Sequence, residues 1–331
     1  MSQIREWSRL KRIGDSKYQE AFIGCANYEE RCQGAIDAAD ADYRADHFIV
    51  MCRAEHLGIG KTKENFDSML SKADRLCRAR PVPLMFELDN PVGFLGTFRT
   101  EISKTLLPER LTKMTVDMST MPRQQLFIVL RELRHQIEPC NLRLLYAEPA
   151  GYSTEKPGGW LTRGVRSVSP LLGFGGIQDP ILRKLLIILS GHEGERAHII
   201  WRRHQPDKTI LIGQGLPYHK GLNDIAEREN SLLSTMLGDV CVYDYRPPAR
   251  EVDGVYLELE KLYSRYAHEY NFVVACTGTK LQALGMYLFA ESRPDVQVTY
   301  AVPIEYNWKD YSWGLGKMWE INELNPYESD E

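Results

Sequence analysis

The 331-residue chain reads as an α/β protein of two tandem Rossmann-like units with mainly parallel sheets, related by a pseudo-two-fold. Three observations predict this. Short apolar runs alternate with longer amphipathic stretches, the pattern of a doubly wound sheet. The rhythm stops at a Pro- and Gly-rich break over residues 149–179 and then restarts. Finally, three strand-to-helix junctions recur in both halves in the same order, as a tandem duplication requires.

In the first half, strands are expected at 20–26, 47–53, 83–88, 113–118 and 142–148, with helices near 29–39, 62–79, 93–107 and 122–135. Phe48-Ile49-Val50 typifies these runs, whose β-branched and aromatic content suits strands buried on both faces. In the second half, strands are expected at 184–190, 209–213, 239–243, 271–276 and 296–301. Residues 1–18 form a basic leader carrying Arg5, Arg9, Lys11 and Arg12, for which a peripheral helix is the expectation. The resulting division is leader 1–18, first unit 19–152, connecting arm 153–182, and second unit with a C-terminal extension 183–331.

Composition narrows the class. Hydrophobic residues at 43% and charged residues at 26% are ordinary for a globular chain, which excludes global disorder. A net charge of -4 argues against a general nucleic-acid coat, though not against a local basic groove. No apolar run approaches the roughly 18 residues of a membrane span, and the start of the chain is too polar and basic for a secretory signal. Seven scattered cysteines without a Cys-x-x-Cys pair predict neither a disulfide framework nor a structural zinc site. A reduced, cytoplasmic protein with no membrane partner, metal or cofactor is therefore expected.

The repeated junctions fall where function is expected. Gly24-Cys25-Ala26-Asn27-Tyr28-Glu29-Glu30-Arg31 matches Leu189-Ser190-Gly191-His192-Glu193-Gly194-Glu195-Arg196, with Arg31 and Arg196 165 positions apart. Ser119-Thr120-Met121-Pro122-Arg123 matches Thr277-Gly278-Thr279-Lys280 at an offset of 157. The third pair joins Tyr146-Ala147-Glu148-Pro149-Ala150-Gly151-Tyr152 to Tyr300-Ala301-Val302-Pro303-Ile304-Glu305-Tyr306 at an offset of 154. Ligands of open α/β sheets bind outside the carboxyl ends of strands, where helix N-termini favour phosphate. Thr277 and Thr279 offer hydroxyls there, Gly278 permits close approach, and Lys280 adds a cation. The alternative is that Ser119 or Thr277 merely caps a helix. Glu30-Arg31 and Glu195-Arg196 read equally well as ligand contacts or as helix-start ion pairs.

The stretch Asn271-Phe272-Val273-Val274-Ala275-Cys276-Thr277-Gly278-Thr279-Lys280-Leu281-Gln282-Ala283-Leu284 resembles the strand-loop-helix of CARF domains, the CRISPR-associated Rossmann-fold sensors. It is similar to members with a Thr-Gly-Gly-Thr-Lys loop, with one glycine fewer. The resemblance covers about a tenth of the chain. It implies that Thr277, Gly278, Thr279 and Lys280 touch a nucleotide, and that the ligand is a cyclic oligonucleotide signalling in prokaryotic antiviral defence. It also implies a separate effector protein, and self-association is a further expectation. Ser119, Thr120 and Arg123 enter only through the internal repeat. Packed as a CARF dimer packs, Asn27, Arg31, Thr120 and Arg123 would oppose His192, Arg196, Thr277 and Lys280 across one cleft.

Other strings carry less. His192-Glu193-Gly194-Glu195-Arg196-Ala197-His198 lacks the second zinc-protease histidine at the required spacing, and Gly58-Ile59-Gly60-Lys61-Thr62 lacks the first glycine of a phosphate loop. No nuclease core is visible: Glu258-Leu259-Glu260-Lys261 lies in a stretch of helical periodicity. Three functions remain: a nucleotide sensor, a metal-independent phosphodiesterase acting on that nucleotide, and a non-catalytic structural subunit of a defence complex.

Overall fold

The computed structural model describes residues 3–13, 18–105, 112–138, 141–213, 222–236, 241–243 and 251–322. The chain opens with β1 (Gln3–Glu6). It then alternates β2 (Gln19–Ala26), a 3-10 turn (Glu30–Gln33) running into the short α1 (Gly34–Asp37), β3 (His47–Arg53), α2 (Thr62–Leu76), β4 (Val82–Phe86), α3 (Pro91–Thr105), β5 (Thr112–Asp117), α4 (Arg123–Arg134), β6 (Leu142–Ala147) and β7 (Gly151–Tyr152). A second series follows: β8 (Thr162–Pro170), β9 (Arg183–Leu189), α5 (Gly194–His204), β10 (Lys208–Ile212), α6 (Leu222–Met236), β11 (Cys241–Tyr243), α7 (Asp253–Tyr266), β12 (Tyr270–Cys276), α8 (Lys280–Ser292) and β13 (Gln297–Tyr306). The described chain closes with β14 (Ser312–Trp313) and β15 (Met318–Asn322).

Burial explains why these segments take these forms. Every residue of β2 is buried, as a central parallel strand covered on both faces must be. α2 turns Phe66, Met69 and Ala73 inward at helical spacing, onto a core that includes Phe22, Phe48 and Val50. α8 is buried from Leu281 through Ala290, so it is apolar all round rather than striped.

The two large sheets share one order, and β7 pairs antiparallel with β14 as a separate two-stranded ribbon. In the first, β4, β3, β2, β5 and β6 pair in parallel, and β15 adds antiparallel to β6 with β1 beyond it. In the second, β11, β10, β9, β12 and β13 pair in parallel, and β8 adds antiparallel to β13. Each is the doubly wound arrangement, with strand order reversing between the first and fourth strands of its set. The protein is α/β with two mixed, mostly parallel sheets.

The chain divides into two compact units: one runs to Tyr152 and resumes from Trp308, and the other is Ser153–Asn307. Three expectations therefore change. The basic leader contributes a strand, β1, not a peripheral helix, because Gln3–Glu6 finds an open edge on β15. The supposed arm 153–182 carries β8, which pairs along β13. The C-terminal extension leaves the second unit, since β15 pairs with β6. The first sheet is thus completed by strands from both ends of the described chain, β1 and β15, and the second by β8, which immediately precedes its own parallel set. Of the helix expected at 93–107, residues 106–107 lie outside the described residues, as do 239–240 of the strand expected at 239–243.

Candidate functional site

At each reversal point the loops are tied by the residues the sequence nominates. Thr277 donates through its hydroxyl to the Leu189 carbonyl at 3.2 Å, and its backbone N–H reaches the same oxygen at 2.9 Å. Gly191 sits so close that a Cβ there would lie 2.0 Å from the Thr277 carbonyl oxygen. In the first unit, the Thr120 hydroxyl donates to the Cys25 carbonyl. The Ser119 hydroxyl donates to Asp117 and accepts from Ala147 N–H at 2.7 Å, so it bridges the ends of β5 and β6. These hydroxyls join strand ends. The cap of α8 is Thr279, whose Oγ1 accepts from Gln282 N–H while the Gln282 side chain accepts from Thr279 N–H. Gly278 faces that same glutamine, which a Cβ would meet at 2.2 Å.

The arginines form a second, repeated construction. Arg31 is 4% exposed, pairs with Glu29 at 2.9 Å and donates to the Ala147 carbonyl at 2.8 Å. Its guanidinium lies over the Tyr146 ring. Arg196, also 4% exposed, pairs with Glu193 at 2.7 Å, donates to the Ala301 carbonyl at 2.7 Å and lies over the Tyr300 ring. Burial opposes the charge of both arginines, and the adjacent carboxylates outweigh it, so both pKa values rise above the usual arginine value. The ion-pair reading of these turns therefore holds, with changed partners: Glu29 and Glu193, not Glu30 and Glu195. Glu30 instead pairs with Lys61 at 2.7 Å.

The second unit opens a cavity of about 560 Å3 beside this construction, where β9 gives way to α5. Its walls include His192 and Glu193 from the turn, Arg196 from α5, Trp160 from the segment before β8, Arg163 from β8 and Arg228 from α6. Arg163 stacks on Trp160 with its guanidinium 4.2 Å from the ring centre. Thr162 donates to Glu193, and Gly164 N–H donates to Glu195 at 3.1 Å, which fixes the Trp160 segment over the turn. His192 Nδ1 lies 3.5 Å from the Thr154 hydroxyl. Arg196 Nε has no acceptor among the described residues. The walls also carry Lys156, Glu155, Glu195 and Glu229, with Arg228 held by Glu229 at 3.2 Å, so the cavity is polar, lined by charges of both signs and one indole. Among the described residues no cluster of three or more His, Cys, Asp and Glu could hold a metal.

Of the nominated residues, this cavity gathers His192 and Arg196; residues 277–280 lie outside its walls. Asn27 turns its side chain back to Tyr28 N–H and accepts from Asn65 at 2.7 Å through its carbonyl. Arg123 and Lys280 are the first residues of α4 and α8, both half-buried. Sequence reasoning missed Trp160, Arg163 and Arg228. None of the three belongs to a repeated junction: Trp160 and Arg163 lie in or beside β8, and Arg228 lies on α6.

No protein-family model matches the chain, and no curated protein matches it. Among the described residues, no helix is long and apolar enough to cross a membrane.

Proposed function

We propose that the protein is a nucleotide sensor that binds a cyclic oligonucleotide or related phosphodiester signal in the cavity of its second unit. The observation that carries this reading is the joining of His192 and Arg196 to Trp160, Arg163 and Arg228 around one cavity at the carboxyl end of β9. An indole supplies a stacking platform for a base, and guanidinium groups are the preferred partners of phosphate. The volume lies within the ordinary range of small-molecule sites. The CARF resemblance of residues 271–284 supports the same ligand class and a role in prokaryotic antiviral defence, with a separate effector protein receiving the signal. The repeated Glu–Arg–Tyr arrangement and the shared strand order support descent of both units from one ancestor.

A second reading, metal-independent cleavage of the bound nucleotide, has one observation in its favour. His192 places an imidazole, the commonest general base, on the cavity wall beside the cations. It would take the proton of a ribose 2′-hydroxyl as that oxygen attacks the adjacent phosphate, and Arg196 or Arg228 would balance the charge gathered on the phosphorane. The bond to the 5′-oxygen then breaks, that oxygen takes the proton back from the imidazolium, and a 2′,3′-cyclic phosphate remains. One screen separates the readings: thermal shift of the intact chain against cyclic and linear oligonucleotides, with product analysis of every hit. A stabilising cyclic ligand recovered intact supports the sensor, and a cleaved one the enzyme. No shift with any nucleotide would leave a scaffold role.

A further inference from the structure

The first unit has a cavity of its own, about 330 Å3, and all of its walls belong to that unit. We propose that it is a second ligand site, taking a single nucleotide whose base stacks on an aromatic wall and whose phosphate meets two lysines. This proposal does not depend on the second unit's cavity.

The aromatic wall consists of Tyr28, Trp308, Tyr311 and Trp313. Trp308 and Trp313 are each 40% exposed, and Tyr28 and Tyr311 meet edge to face at 6.0 Å behind them. Indoles on a cavity wall leave a large apolar area in water, which a planar heterocycle removes by stacking. Gly60 holds this wall in shape: its φ is +53°, and a Cβ there would lie 3.1 Å from Trp308 Cε3. Only glycine meets both demands without strain.

Lys61 and Lys309 supply the charge. Lys61 begins the turn into the 15-residue α2, and its ammonium is held by Glu30 at 2.7 Å on the surface. Lys309 Nζ lies 5.2 Å from the centre of the Trp308 ring. A phosphate at the rim would exchange Glu30 for itself on Lys61. The buried carboxylate on the wall, Glu29, is already neutralised by Arg31. The Gly-Lys dipeptide that the sequence offers as part of an incomplete phosphate loop therefore lines a cavity after all, with the base platform supplied by chain 250 residues later.

Calorimetric titration of the full chain with AMP, adenosine and choline tests this. Saturable AMP binding is expected, weaker for adenosine and absent for choline. Trp313→Ala should weaken AMP at least about fivefold, the lower end of base stacking. Lys61→Ala should weaken AMP but leave adenosine unchanged, and Glu30→Gln should strengthen AMP by freeing the lysine. Both of these exposed substitutions leave the fold intact, so their result stands if the tryptophan variant is unstable. Trp160→Ala should leave this site unaffected, which separates it from the second unit's cavity. Choline binding in place of AMP, or AMP affinity unchanged in both Lys61→Ala and Glu30→Gln, would overturn the proposal.

Discussion

Arg31 and Arg196 show how one residue fixes a local structure. Each guanidinium is buried against a carboxylate and donates to a carbonyl of the fifth parallel strand of its own unit. Removing one member of a buried pair leaves the other charge desolvated, at a cost of about 3–5 kcal/mol. Arg31→Met should therefore destabilise the first unit by about that much in urea unfolding. Adding Glu29→Gln should restore part of the loss, and an equal loss in single and double variants would reject the pairing argument. Two histidines make a separate prediction. Burial, then Lys184 and Arg203, lowers His204 from the ordinary 6.5 to about 4, and burial, then Arg53, does the same for His56. Both stay neutral in the folded chain while the unfolded chain takes up protons. Their contribution is fully present above pH 6.5 and is lost as pH falls from there towards 4. His204→Gln should flatten the fall in melting temperature across that window, and an unchanged slope would show that His204 is not responsible.

At the scale of elements, the loop the sequence nominates for phosphate is also a well-made helix start. Thr279→Ala removes the capping box of α8 and should cost about 1 kcal/mol, read from chemical denaturation. A loss below about 0.3 kcal/mol would mean that water replaces the cap without penalty. The parallel strands were legible because strands buried on both faces are nearly continuous apolar runs, as in β2 and β9. The antiparallel edge strands were not. β8 is mostly exposed, so it lacks an apolar signature, and its pairing with β13 joins residues more than 100 positions apart. β1 is only four residues long and exists because β15 offers it an edge. The same blindness hid Trp160, which lies in a Gly-rich stretch with the composition of a connection. Arg31 and Arg196 were legible as equivalents, but their partners were not, since in each unit the paired carboxylate stands two or three positions earlier, ahead of the helical turn, rather than beside the arginine.

For the whole molecule, the first sheet depends on a strand from the far end of the sequence, β15. A chain ending at Asn307 would lack β15, leaving the β6 edge open and β1 without its partner. Hydrogen exchange should then show lost protection in β6 and β1, with protection in β9 and β12 retained. Equal protection throughout would show that β15 is dispensable to the first sheet. The proposed function rests on nucleotide binding in the second unit's cavity, which equilibrium titration reads out. Cyclic tetra-adenylate is titrated into the intact chain and into Trp160→Ala and Arg228→Ala, both altered on the cavity wall. The account predicts saturable binding by the unaltered chain, weakened about tenfold or more by Trp160→Ala through lost stacking and measurably by Arg228→Ala. Binding of equal strength in all three proteins, or no binding by the unaltered chain, would contradict it.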